Sequence, residues 1–249
     1  MALTVLSFLL LQAGGFFLGL SKTGFGGAAG IITTPLFALA MEPRRAVGMM
    51  LPLLLLTDVM ALYHYRGRVS FYNVGALLPG MLIGIVLGIP VLNIIPDRLF
   101  KQFIGVLALS FGLIQISGWR RQPIVSLRQR PPLWVGIAAG IGAGFASTLA
   151  HQGGVLTTMY LLPQNLPNDV FVGTATVIYF AVNSVKLLPY IRLSLIDQET
   201  LMIGLITTPG VIVGALTGFL FNKMLTQTQF SQIVLILVFV TGIKLIVSP

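Results

Sequence analysis

The chain contains the same pattern twice. Gly30–Thr34 (GIITT) recurs as Gly154–Thr158 (GVLTT), and the pattern PGxxxGxxxG that begins at Pro79 recurs at Pro209. In each half a glycine-rich stretch precedes the pair of threonines. Self-similarity of this kind predicts two structural units built on one plan. The chain is therefore expected to fold as two homologous repeats.

Composition places these repeats in a membrane. Hydrophobic residues make up 56% of the 249 residues and charged residues only 8%, too few to cover the surface of a soluble domain. The apolar stretches have lengths typical of helices that cross a bilayer and lack the alternation of a β-barrel. We therefore expect an all-α polytopic membrane protein.

The net charge of +9 resides mostly in the short connections between apolar segments. Such a distribution indicates membrane topology and attraction to anionic lipid headgroups, not nucleic-acid binding. The chain has no cysteine, which excludes disulfides and thiolate metal sites. We expect no cofactor and no metal.

Ten apolar segments can be traced, five in each half. They are residues 2–20, 26–41, 44–64, 70–92 and 98–117, then 132–149, 152–163, 169–190, 197–221 and 226–247. The second segment of each set is too short for an ordinary crossing, which predicts broken or re-entrant helices at the glycine-rich motifs.

A basic connection separates the halves. The predicted domains are a first repeat at 1–118, a linker at 119–131 and a second repeat at 132–249, and the arginines of the linker predict a cytoplasmic location. If each short segment spans the membrane, each repeat crosses an odd number of times and the copies are inverted, the arrangement we favour. If each short segment returns to the same face, the copies are parallel.

The two glycine-rich breaks are the candidate substrate site, because polar breaks in corresponding apolar segments mark substrate sites in transporters. Lys22 stands in the first break, where backbone N–H groups, a helix N-terminus and the lysine together favour an anion. Its structural alternative is a lysine that extends to the interface. The predicted substrate-binding residues are Lys22, Thr23, Gly24, Phe25, Gly26, Gly27, Thr33, Thr34, Ser147, Thr148, His151, Gln152, Gly153, Gly154, Thr157, Thr158, Asn183 and Lys186.

Asp58 and His151 are the candidates for proton coupling. Asp58 is the only carboxylate well inside an apolar segment, and its counterpart in the second repeat is Asn183. It could carry a proton, or pair with Lys22 or Lys186 and hold the helices together. His151 could donate to a substrate or respond to pH, or be a satisfied structural histidine. The threonine pairs could equally hydrogen-bond their own helices.

Enzyme motifs are absent from the sequence. There is no HExxH pair, GxSxG elbow, P-loop or carboxylate pair, so we expect a protein that is not an enzyme and that uses an existing gradient. A secondary transporter is the favoured function. The alternatives are a passive anion channel, an intramembrane enzyme or a structural membrane protein.

The first break also resembles a known family. Gly15–Gly27 (GFFLGLSKTGFGG), followed by Gly30–Leu36 (GIITTPL), is similar to the signature of the sulfite exporter TauE/SafE family, also called the TSUP transporters. The resemblance implies a bacterial or archaeal multi-pass inner-membrane carrier that exports small sulfur-containing anions such as sulfite or organosulfonates. Its breaks would fall at Gly24–Gly30 and Gly153–Gly154.

The second break departs from the first because it has no lysine and carries His151 and Gln152. The two halves are therefore expected to contribute unequally to the site. The expected partners are a small anion and membrane lipid, with a homodimer left open and no nucleic acid.

Overall fold

The computed structural model describes residues 4–27, 30–121, 131–164, 166–224 and 243, and its regular structure is helical. The α-helices of these ranges are α1 (Val5–Phe25), α2 (Thr33–Ala40), α3 (Pro43–His64), α4 (Phe71–Ile94), α5 (Asp97–Arg121), α6 (Leu133–Ala150), α7 (Gly153–Leu161), α8 (Asn168–Arg192) and α9 (Gln198–Met224). Short 3-10 turns lie at Gly30–Ile32 and Leu162–Gln164. The predicted last segment, 226–247, lies outside the described residues except for residue 243, and so does most of the linker.

Six of these helices are long and apolar enough to cross a membrane: α1, α3, α4, α6, α8 and α9. With 24 residues, for example, α4 extends about 36 Å at 1.5 Å per residue, more than the roughly 30 Å hydrocarbon core of a bilayer. The all-α, multi-pass membrane fold predicted from composition is confirmed.

The first glycine-rich break forms a helical hairpin. α1 ends at Phe25, and Gly26 takes a left-handed conformation with φ of 58° while its N–H bonds to the Ser21 carbonyl. The chain then reverses, and α2 packs along α1 so closely that a Cβ on Gly14 would lie 2.7 Å from the Phe37 ring. With 8 residues, or about 12 Å, α2 is too short to cross a bilayer.

The second break forms a matching hairpin from α6 and α7. α6 ends at Ala150, and His151 takes the left-handed conformation with φ of 52°, as Gly26 does in the first hairpin. α7 has 9 residues and packs back along α6, where Leu156 contacts Gly142. A non-glycine residue at positive φ is uncommon and is found where its side chain has a local role.

Long helices from different halves of the chain pack side by side. Along α1 and α9, Gln12 faces Gly210, Phe16 faces Gly214 and Leu20 faces Gly218, so the two helices run parallel. α4 and α6 also pack in parallel, with the glycines of the first PGxxxGxxxG pattern at their contact. Small residues here let the backbones of the two helices approach closely.

α3 and α8 form the antiparallel centre of the bundle. At one end, the backbone N–H of Ser70, just beyond α3, bonds to Thr174 Oγ1 near the start of α8 at 2.9 Å. At the other end, Gly48 of α3 contacts Leu195, just beyond the end of α8. The two hairpin tips meet against this pair of helices.

Candidate functional site

A small cavity lies where the two hairpin tips meet α3 and α8. Its volume is about 30 Å³, which is room for about two buried water molecules. Predicted residues that line it are Lys22, Gly27, Thr33, Ser147, His151, Gly153, Gly154 and Asn183; residues not predicted are Leu18, Ser21, Leu54 and Tyr179. The structure thus joins both glycine-rich breaks in one site.

Lys22 on α1 is paired with Asp58 on α3. Its Nζ lies 2.8 Å from Asp58 Oδ1 and 4.1 Å from the centre of the Tyr179 ring. Asn183 Nδ2 donates to the other carboxylate oxygen, Asp58 Oδ2, at 2.6 Å. Because both oxygens accept hydrogen bonds from donors, the arrangement fits an ionised carboxylate. Of the pairings considered from the sequence, the one with Lys22 is observed.

Lys186 on α8 is fully buried and has no carboxylate partner among the described residues. Its Nζ donates to the Ser147 carbonyl at 3.2 Å, to Ser147 Oγ at 3.0 Å and to His151 Nδ1 at 3.1 Å. These three acceptors match the three N–H groups of an ammonium ion. Lys186 therefore does not extend to the interface, and the geometry fits a charged lysine behind the cavity wall.

His151 bridges Lys186 and α3. Its Nε2 lies 2.9 Å from the Val47 carbonyl oxygen, which can only accept, so Nε2 carries the ring proton. Nδ1 is then the acceptor for Lys186. Both ring nitrogens of the neutral tautomer are occupied, so His151 shapes the cavity wall and has no ring N–H left to donate to a substrate in this arrangement.

Three sources of hydrogen-bond donors face the cavity. The Ser21 hydroxyl is buried, lines the cavity and has no partner among the described residues. Ser147 Oγ accepts from Lys186, which leaves its own hydrogen available as a donor. The first residues of α7, Gly153 and Gly154, contribute N–H groups that the helix itself does not use. The surroundings therefore favour a ligand that only accepts.

Sequence reasoning missed Ser21 as a site residue, although the residue stands next to Lys22 in the same motif. A buried hydroxyl without a partner loses the hydrogen bonds it would make with water. Its position at the cavity makes a ligand the natural partner.

Several predicted residues instead serve the hairpins. Threonine hydroxyls donate to backbone carbonyls: Thr23 to Gly19 and Ala215, Thr34 to Ala150, Thr148 to Gly144 and Thr157 to Gly153. Of the threonine pairs, Thr157 follows the alternative that the sequence left open, a bond to its own helix, whereas Thr34 bonds to the end of α6. Gly24 packs against Gly218, and Phe25 is buried. The buried Gln152 amide and the Thr158 hydroxyl have no partner in the described part of the chain.

The helices α1 and α6 extend further into the glycine-rich breaks than the sequence predicts. Lys22 and Thr23 belong to the last turn of α1, and Ser147 and Thr148 belong to α6. The helices continue until Gly26 and His151 because the left-handed turns there close the last hydrogen bonds. Lys22 therefore projects from a helix and not from an irregular loop.

Two tyrosines fix the ends of α1 and α6 and were also missed. Tyr65 donates to the Thr23 carbonyl at 2.7 Å, and Tyr190 donates to the Thr148 carbonyl at 2.6 Å. Both hydroxyls come from beside the ends of α3 and α8, the central pair of helices. Each hairpin tip is thus hydrogen-bonded to the antiparallel core.

No group of three His, Cys, Asp or Glu side chains that could hold a metal ion occurs in the ranges that the structure describes. The family model of the sulfite exporter TauE/SafE matches residues 11–245. No curated protein and no solved structure matches the chain.

Proposed function

Because the chain belongs to the sulfite exporter TauE/SafE family, we propose that it exports small sulfur-containing anions such as sulfite or organosulfonates across the inner membrane. The six membrane-length helices make it a multi-pass membrane protein. The observation that carries the proposal is the cavity between the hairpins, which offers lysine, hydroxyl and backbone donors.

The oxyanion group of the substrate binds to these donors. Lys22 supplies a charge-assisted contact beside Asp58, while Ser21, Ser147 and the first turn of α7 supply directed hydrogen bonds. A sulfite or sulfonate group carries acceptors on all its oxygens. A ligand whose polar group brings its own donors competes with Lys22 and Asn183 for the Asp58 oxygens.

The proposed repeats are inverted copies, at 1–118 and 132–249, joined by the linker at 119–131. The antiparallel packing of α3 against α8 and the matched contacts of Tyr65 and Tyr190 support this arrangement. Two inverted units with substrate bound between broken helices are a recurrent plan among secondary transporters.

The small volume of the cavity supports a carrier and not an open channel. A space for about two waters does not hold a sulfonate group together with its organic substituent. Substrate must therefore enter as helices separate, and such motion supports alternating access driven by a gradient. The gradient itself is part of the proposal.

Proton coupling at Asp58 and His151 remains a prediction from the sequence. In the observed arrangement Nε2 of His151 carries the ring proton and the lone pair of Nδ1 accepts from Lys186, so a proton added to His151 requires that contact to break. Flux through Asp58→Asn that keeps the pH dependence of the wild type would remove Asp58 from this role.

Flux in proteoliposomes tests the proposed function. Purified protein should release radiolabelled sulfite or methanesulfonate at a rate that saturates with concentration, and unlabelled anion on the opposite side should drive counterflow. A rate that rises linearly without counterflow would identify a channel. The absence of flux for every small oxyanion, relative to protein-free liposomes, would contradict anion transport.

A further inference from the structure

The buried charges of the bundle do not cancel. All six acidic residues of the chain lie in described ranges, and only Asp58 is buried. The other five are at least partly exposed near the ends of helices: Glu42, Asp97, Asp169, Asp197 and Glu199. Arg44 pairs with Asp97, Arg45 with Glu42 and Glu199, and Arg68 with Asp169. One carboxylate therefore serves the interior.

Two lysines share this interior among the described residues. Lys22 contacts Asp58 directly, so that pair is neutral as a unit. Lys186 is surrounded by the Ser147 carbonyl, the Ser147 hydroxyl and the neutral His151 ring, which accept its three N–H groups without cancelling its charge. A protonated Lys186 gives the empty site one surplus positive charge. An uncompensated charge in the low-dielectric interior is costly and is a mark of function in membrane proteins.

We propose that Lys186 is protonated, that its charge is cancelled by a bound monoanion, and that the membrane potential drives export with one net charge per cycle and no coupling ion. This inference rests on the proposed anion carrier. Lys186 acts through Ser147 and His151, which line the cavity while Lys186 itself lies behind them. It is a positioning residue that sets the charge of the site.

The consequence is a division of the transport cycle into two electrically different steps. The loaded site is neutral, so its movement between the two faces is insensitive to voltage. The empty site is positive, so an inside-negative potential returns it to the cytoplasmic face. For a monovalent anion, an inside-negative potential alone raises the equilibrium ratio of its external to its internal concentration by about 50-fold per 100 mV. Export therefore needs no second ion.

Proteoliposomes with potassium diffusion potentials set by valinomycin test this division. The probes are methanesulfonate and ethanesulfonate, both monoanions whose oxygens only accept hydrogen bonds, and the measurement uses whichever shows saturable flux. Net transport should follow the potential toward the ratio given above and ignore an imposed pH gradient. Exchange of labelled for unlabelled anion, which involves the loaded site alone, should be unaffected by the potential.

Substitution of Lys186 shifts the voltage-sensitive step. Lys186→Gln leaves the empty site neutral and the loaded site negative, so exchange should become voltage-dependent. Lys186→Arg keeps the charge and should behave as the wild type. If Lys186→Gln does not fold, the comparison of net transport with exchange in the wild type still decides the question.

The outcomes separate this inference from the function on which it rests. Saturable net transport that ignores voltage and follows the pH gradient overturns the inference in favour of proton coupling, while anion transport stands. Voltage-dependent exchange in the wild type also overturns it, because the loaded site is then charged. Failure of both probes to show saturable flux overturns the proposed carrier as well.

Discussion

Lys22 and Asp58 form an ion pair of 2.8 Å at the tip of the first hairpin, and the Asp58 side chain is only 1% exposed. The pair joins α1 to α3, and Asn183 extends the contact to α8. A charged group at the cavity is therefore also a structural link between the two halves. The effects of substituting Lys22 or Asp58 on transport must therefore be separated from their effects on stability.

Removal of one member of the pair should destabilise the protein more than removal of both. Asp58→Asn leaves Lys22 without its counter-charge, and loss of one partner of a buried pair costs about 3–5 kcal/mol. The double variant Lys22→Met with Asp58→Asn removes both charges and should recover part of that loss. Thermal unfolding in detergent of the two single variants and the double variant measures the coupling; additive effects would contradict a direct pair.

The two tyrosine contacts should contribute equally to stability. Tyr65→Phe and Tyr190→Phe each remove one hydroxyl donor to a threonine carbonyl, at a cost of about 1 kcal/mol for a buried hydrogen bond. Tyr63, whose side chain is exposed, provides the matched control as Tyr63→Phe. Unequal losses of stability in Tyr65→Phe and Tyr190→Phe, or an equal loss in Tyr63→Phe, would argue that the two tyrosines do not hold the two hairpins in the same way.

Gly26→Ala should impair the first hairpin by two mechanisms. The residue has φ of 58°, and a Cβ there would lie 3.0 Å from the Phe171 ring. Gly67 provides the control because it also has positive φ, at 78°, but open space around it. Gly67→Ala should lose about 1–2 kcal/mol from backbone strain alone, and Gly26→Ala should lose more and also slow transport. Equal stability and flux in the two variants would exclude a steric role for the hairpin tip.

Ser21→Ala should weaken transport without weakening the fold. The hydroxyl has no partner in the described part of the chain, so its removal from the buried site should leave stability unchanged or improved. A hydrogen bond to a charged ligand contributes about 1.5–3 kcal/mol, which corresponds to about 10- to 100-fold in apparent affinity for sulfite. Ser184, which is exposed and bonded to its own helix, provides Ser184→Ala as the control. Normal sulfite affinity in Ser21→Ala would remove Ser21 from the site.

The all-α membrane fold could be predicted from the sequence because the length and composition of the apolar segments are typical of helices that cross a bilayer. The helix ends could not, since the left-handed turns at Gly26 and His151 depend on the packing of each hairpin. Hydropathy therefore placed Lys22 in an irregular loop, whereas the helix includes it.

The site was predicted less completely than the fold. Lys186 lies only one turn from Asn183, but its burial depends on acceptors supplied by Ser147 and His151 from another helix. Sequence distance holds no information about that contact. The tyrosines were detectable, since Tyr65 and Tyr190 are spaced alike from Thr23 and Thr148 in the two repeats.

The most direct test of an anion site between the hairpins is the concentration dependence of sulfite efflux from proteoliposomes that contain wild type or the double variant Lys22→Met with Asp58→Asn. The variant keeps the net charge of the site but removes the lysine that we propose contacts the anion. We expect saturable efflux from the wild type and at least about a 10-fold loss in the folded variant, the value of one charge-assisted hydrogen bond. Saturable efflux at the wild-type rate and affinity in the variant would contradict the site.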